Sequence, residues 1–194
     1  MKRLLLCVPF LLSNAAWAGP FEDVLDANAR GDYATVMRIA RPHAANGEAW
    51  AQAVLGNSYR VGLGVLQDYV EAAKWYRLAA ERGDAPAQAT LGFMYIQGQG
   101  LVQDYAEAVK WYRLAAEQGH ATAQYNLGVM YAQGQGVEQD NVRAHLWFNL
   151  GAVSGNAEAA KSRDATANQM TPQQIGEAQK LARECQARRF KGCN

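Results

Sequence analysis

Two cysteines, three histidines and three Gly-x-Gly triplets are the residues of this chain whose types suit chemistry. Cys185 and Cys193 stand close together near the end of the 194 residues, and the third cysteine, Cys7, sits inside an apolar run near the start. A late pair of this kind in an exported chain most simply forms one disulfide, with two free thiols or half of a metal site as the alternatives. A metal site would draw on further Cys or His nearby, yet His43, His120 and His145 are scattered. No histidine lies near either cysteine to activate it as a nucleophile, and no G-x-S-x-G or S-x-x-K pattern occurs. The triplets Gly62-Leu63-Gly64, Gly98-Gln99-Gly100 and Gly134-Gln135-Gly136 lack the preceding strand, third glycine and immediate helix of a phosphate-binding loop. The sequence therefore offers no catalytic residue, no metal site and no cofactor site, and its triplets read as structural turns.

Those triplets recur because the chain repeats itself. Ala49 to Asp84, Ala85 to His120 and Ala121 to Asn156 align without a gap, each row beginning 36 residues after the last. A fixed period of this length predicts a solenoid of stacked supersecondary units. Within the first row, Ala51, Leu55 and Tyr59 mark one stripe of a helix, and Ala72, Trp75, Tyr76 and Ala79 mark a second. Asp68, Asp104 and Asp140 stand at N-cap positions, with Glu71 and Glu107 placed as capping-box partners. Gly83, Gly119 and Gly155 follow the second helices, where a left-handed residue is favoured. Each row is thus predicted to be a helical hairpin. Gly56, Gly92 and Gly128 interrupt the first helices at a cost of about 1 kcal/mol each relative to alanine. Close approach of a bulky ring would offset that cost, supplied either by Trp75, Trp111 and Trp147 or by their neighbours Tyr76, Tyr112 and Phe148.

The flanks carry weaker versions of the same grammar. Residues 21–48 keep the 36-residue step through Asp32, Tyr33 and Gly47 but lack the glycine turn, and read as a degenerate N-terminal cap in which Pro42 would weaken or kink the second helix. Residues 157–194 read as a C-terminal helical cap: a helix to about Gln169, then one from Pro172 to about Arg188 opened by the capping box Thr171-Pro172-Gln173-Gln174. A Cys185–Cys193 bond would fold the basic tail Arg188-Arg189-Phe190-Lys191 against that last turn. At the start, Lys2 and Arg3, the apolar run Leu4 to Leu12 and Ala16-Trp17-Ala18 form a signal-peptide pattern over residues 1–18, with cleavage expected near Ala18-Gly19. The chain is then periplasmic or fully secreted, with a single domain over residues 19–194. No later segment reaches the roughly 20 apolar residues of a membrane span. Losing Lys2 and Arg3 takes the net charge from +1 to −1, which argues against nucleic acid or an anionic membrane as partner.

The shared pattern A-x-A-Q-x-x-L-G-x-x-Y-x-x-G-x-G-V-x-Q-D-x-x-x-A-x-x-W-Y-x-x-A-A-x-x-G resembles the Sel-one-like repeat (SLR), a relative of the tetratricopeptide repeat (TPR). The resemblance covers Ala49 to Asn156 and fades in the third row, where Phe148, Gly151 and Arg143 depart from the other rows. It implies an all-α fold, a right-handed α/α superhelix of SLR/TPR-like hairpins. It also implies a scaffold whose first helices line a concave side that receives an extended peptide or protein segment. Some cysteine-rich members of the family have been linked to penicillin binding or β-lactamase activity; they carry a cysteine pair within each repeat, and these three rows contain none.

Comparing the three rows separates positions fixed by the fold from those left free. The free positions of the first helices fall on one arc and include several aromatic and aliphatic residues. Trp50, Phe93 and Tyr125 are the expected anchors, with Val54, Asn57, Ile96 and Val129 around them. The three aromatics could equally fill seams between repeats. The expected function is an exported, monomeric scaffold for a protein or peptide of unknown identity, and a cell-wall glycan could use the same aromatic stripe.

Overall fold

A computed structural model of the chain describes residues 19–193, so the expected signal peptide lies outside the described residues. Ten helices follow one another: α1 (Pro20–Ala29), α2 (Tyr33–Ala45), α3 (Ala49–Val61), α4 (Tyr69–Glu81), α5 (Ala85–Gln97), α6 (Tyr105–Ala116), α7 (Ala121–Gln133), α8 (Asn141–Val153), α9 (Ala157–Ala167) and α10 (Pro172–Ala187). Each repeat row is one hairpin, α3/α4, α5/α6 and α7/α8, and each second helix also packs on the first helix of the next row. The result is an all-α solenoid.

Local sequence sets the helix limits. Asp68, Asp104 and Asp140 accept the backbone N–H of Glu71, Glu107 and Arg143 at 2.9–3.0 Å. The expected return contact from Glu71 and Glu107 does not form, because these carboxylates pair with Lys74 and Lys110 one turn on. Thr171 and Gln174 do complete a reciprocal capping box at α10. Pro42 lies in the last turn of α2, which continues to Ala45.

Two features lock one hairpin to the next. The second glycine of each turn presses on the backbone that opens the preceding hairpin's second helix. A Cβ added to Gly100 would lie 2.0 Å from the Tyr69 carbonyl oxygen, and one on Gly136 would lie 2.4 Å from that of Tyr105. Buried Gln52, Gln88 and Gln124 then donate through Nε2 to the carbonyls of Ala44, Ala80 and Ala116, at 3.2, 2.9 and 3.1 Å. Each glutamine thereby adds a second bond to a last-turn carbonyl of the previous helix, which also accepts the N–H of Gly47, Gly83 or Gly119 at 2.9–3.0 Å.

The other half of that amide exposes a flaw in the third row. Gln118 donates to Gln88 Oε1 at 2.8 Å and Arg82 approaches Gln52 Oε1 at 3.4 Å. Ser154 holds the equivalent place in the third row, and Gln124 Oε1 is buried without a partner. Ser154→Gln is expected to supply the missing donor, gain about 1 kcal/mol and raise the melting midpoint by about 2–4 °C. Calorimetry checks it.

The mid-helix glycines make room for the rings of Tyr76, Tyr112 and Phe148 rather than for the tryptophans. An added Cβ would lie 2.9 Å from Tyr76, 3.0 Å from Tyr112 and 2.6 Å from Phe148. Gly92→Leu should overpack the Tyr112 contact and cost about 1–3 kcal/mol, read as a lower melting temperature.

The C-terminal region closes the stack by turning back. Helix α9 continues the series against α8, but α10 packs on α8 rather than on α9. Enclosed by α7, α9 and α10, helix α8 buries His145, Leu146, Trp147, Phe148 and Leu150. This explains why Leu146 stands where the second row has the exposed Lys110. The disulfide Cys185–Cys193 closes the tail and contributes about 2–3 kcal/mol on the chain-entropy account. It turns the Phe190 ring against Gly119 beyond the end of α6, while Arg188, Arg189 and Lys191 remain exposed.

Candidate functional site

The seven residues expected to bind a partner fall into different surroundings. Trp50 is half-buried, with its ring centroid 5.4 Å from Phe21 and 5.2 Å from His43. Its Nε1 donates to Glu48 at 2.7 Å, and the Glu48 carboxyl is held below its usual range by bonds from His43 and Trp50. Tyr125 is half-buried, 5.8 Å from Phe148. Val54, Ile96 and Val129 are half-buried against the core clusters. Phe93 differs in being 43 % exposed. Packing of the whole N-terminal cap onto Trp50 follows from Phe21 and His43 arriving from α1 and α2, a contact that rows 49–156 alone could not reveal.

Phe93 lines a groove of about 340 Å³ that crosses three first helices. Arg60 comes from α3, Pro86 and Thr90 from α5, Asn126 from α7, and His120 from the turn before α7. Asn57 lines a neighbouring cavity of about 190 Å³ with Leu25 and Val54. Its Oδ1 accepts from Arg60 Nη2 at 2.9 Å, so the two hollows share one side-chain bridge. Arg60, Thr90 and Asn126 occupy row positions that vary, which is the signal that reveals them in sequence.

His120 was the residue that the row comparison did not assign to this face. It stands at the row position of Asp84, the last residue of the first row and N-cap of α5, whose carboxylate accepts from Ala87 N–H at 2.8 Å. At α7 the Ala123 N–H instead donates to His120 Nδ1 at 3.2 Å. Burial lowers the pKa of His120, with Asp84 pulling the other way. An accepting Nδ1 in a neutral ring leaves the proton on Nε2, so the imidazole can still donate one hydrogen bond.

A second apolar surface lies on the outside of the second helices. Val70, Leu78 and Leu101 line a depression of about 490 Å³, and Leu66 and Val102 on the turns are 90 % and 88 % exposed. The corresponding face of α8 is covered by the chain's own α10, where Val142 and Leu181 line a shared hollow. Among the described residues no group of three or more His, Cys, Asp or Glu is placed to hold a metal ion, and no helix is long and apolar enough to cross a membrane.

The Sel1 repeat family model matches residues 51–84, 85–120 and 121–156. The chain belongs to the Sel1 repeat family. Sel1 repeat proteins are in general scaffolds for protein–protein interaction rather than enzymes. Among solved structures, this Sel1 repeat chain is similar to c5321, a protective antigen of uropathogenic Escherichia coli strains with an SLR fold. That match has a TM-score of 0.75 at 28 % identity over 88 % of this chain, which spans only 42 % of c5321. A Sel1 repeat protein from Oxalobacter formigenes is 39 % identical over 66 % of this chain and 97 % of its own, with a TM-score of 0.62. The cysteine rich protein B of Helicobacter pylori shares the fold at 17 % identity, with a TM-score of 0.52 over 73 % of this chain and 95 % of its own. No curated protein sequence matches the chain.

Proposed function

We propose that this chain is an exported scaffold that binds an extended peptide or protein segment along the face of α3, α5 and α7. The observation that carries this reading is the groove itself: a half-exposed phenylalanine set among neutral polar groups and one arginine, on helices that the fold does not need to cover. Aromatic side chains in such settings concentrate binding energy. The family's general scaffolding role supports it. Export is supported by the Cys185–Cys193 disulfide, a bond that persists in oxidising compartments, and by the signal pattern of residues 1–18.

The roles of the proposed anchors divide. Phe93 contacts the partner, and Asn57, Val54 and Ile96 flank it. Trp50, Tyr125 and Val129 add contact through their exposed edges while holding repeats together. A photo-activated cross-linking residue placed at position 93, or separately at 102, tests the reading in the producing cell. Position 93 is expected to give a discrete adduct with a partner and position 102 none. The reverse pattern would move the binding face to the outer side of the solenoid.

A further inference from the structure

The groove carries a charge that the fold does not use. Helices α5 and α7 contain no Asp, Glu, Lys or Arg at all, which leaves Arg60 as the one side chain of permanent charge along the groove. Its guanidinium approaches two neutral groups, Asn57 Oδ1 at 2.9 Å and the Tyr76 phenol at 3.4 Å. No carboxylate lies within salt-bridge distance of it among the described residues. The other rows place Ile96 and Ala132 at the same position, so the repeat has no need of a cation there. Arg77 and Arg113, by contrast, tie neighbouring hairpins together by donating to Tyr95 and Tyr131.

One further groove group can donate to the same ligand. His120 offers its Nε2–H, while the Asp84 carboxylate, whose Oδ1 accepts the Ala87 N–H, acts on that ring with negative charge and leaves Arg60 as the main seat for an anion. A planar guanidinium with free N–H groups, steadied by two neutral acceptors in a hollow of neutral polar groups beside Phe93, suits a carboxylate held by charge-assisted bonds. Because Asn57 links the groove to the cavity at Leu25 and Val54, a bound chain can pass over Arg60 in both directions. That path suits an internal side chain better than a chain end.

We propose that the partner segment presents an internal Asp or Glu side chain to Arg60. An apolar side chain on one flank seats against Phe93, and another on the opposite flank enters the Leu25 and Val54 cavity. This rests on the groove being the binding face, and it names the chemistry of what binds there.

Random peptides displayed between fixed flanks, with no free carboxyl terminus, and selected on the purified full chain provide the test. Selected sequences are expected to be enriched in an acidic residue flanked by apolar ones. For a doubly blocked synthetic copy of the best sequence, changing its acid to the amide should weaken binding about tenfold or more. Arg60→Gln should do the same, and the two changes together should cost little more than either alone. The first comparison uses the unmodified protein, so a folding defect in the variant cannot hide the answer. Peptides that depend on Phe93 but are indifferent to both the acid and Arg60 would overturn the acidic-partner inference while leaving the groove as the binding face. Failure to select any peptide that Phe93→Ala weakens would overturn both.

Discussion

Gly100→Val is expected to destabilise the protein by about 3–5 kcal/mol, whereas Gly98→Val two residues earlier should cost only about 1–2 kcal/mol. Both glycines have positive φ, +69° and +66°, so any side chain at either pays for a left-handed backbone. They differ in what lies beside them. At Gly98 the nearest atom to an added Cβ is 3.7 Å away, while at Gly100 the Tyr69 carbonyl carbon and oxygen lie 2.2 and 2.0 Å away and the Val70 nitrogen 2.6 Å away. Backbone at the start of α4 cannot swing aside as a side chain would, so the turn must lift off the preceding hairpin, with an overpacking cost added to the torsional one. For a chain of this size the loss corresponds to a midpoint lower by roughly 10 °C. Equal melting curves for the two variants would show that the turn does not seat on α4.

Trp147→Ala should be comparably severe, at about 3–5 kcal/mol. Trp147 is fully buried, the largest side chain with that property among the described residues. It lies in α8, the helix on which α7, α9 and α10 converge, so the hole opens where the C-terminal cap meets the stack. Trp111 holds the same row position but is half-buried, and Trp111→Ala should cost less than half as much. Part of the Trp147 contribution is offset by its indole Nε1, which is buried without a partner. Trp147→Phe, which removes that orphan donor, is accordingly expected to cost well under the alanine change. Chemical denaturation of the three variants gives the ordering.

How much of this was legible in the residues depends on whether the cause is local or between hairpins. The hairpin limits were readable because Asp68, Asp104 and Asp140 cap helices through contacts three residues away. Turn glycines were readable as turns, but their tightest constraint was not. Gly100 meets Tyr69, 31 residues earlier, and only the stacking of one row on another creates that contact. The choice between Trp75 and Tyr76 opposite Gly56 turns on one position of helical rotation, which periodicity resolves poorly and the packed ring decides. The path of α10 was hidden for a similar reason, although Leu146 in place of a lysine hinted at a covered α8.

The face that carries the groove was legible in outline, but not how exposed each of its aromatics is. Free positions on α3, α5 and α7 include Arg60, Thr90, Phe93 and Asn126, which line one groove. Aromatic size alone ranks Trp50 and Tyr125 equal to Phe93, yet Phe21 and His43 occupy much of the first ring and Phe148 backs the second. His120 was overlooked because it reads as the last residue of a row; its Nδ1 bond to Ala123 shows it to be a cap.

The central claim, that the first helices form the receiving surface, is tested most directly by titrating an isotopically labelled sample with the selected peptide and following amide and side-chain chemical shifts. Perturbations centred on Arg60, Thr90, Phe93 and Asn126, fading toward Leu78 and Leu114 on the second helices, are the predicted result. Perturbations centred instead on Leu66, Val70, Leu78 and Val102, with Phe93 unmoved, would contradict it.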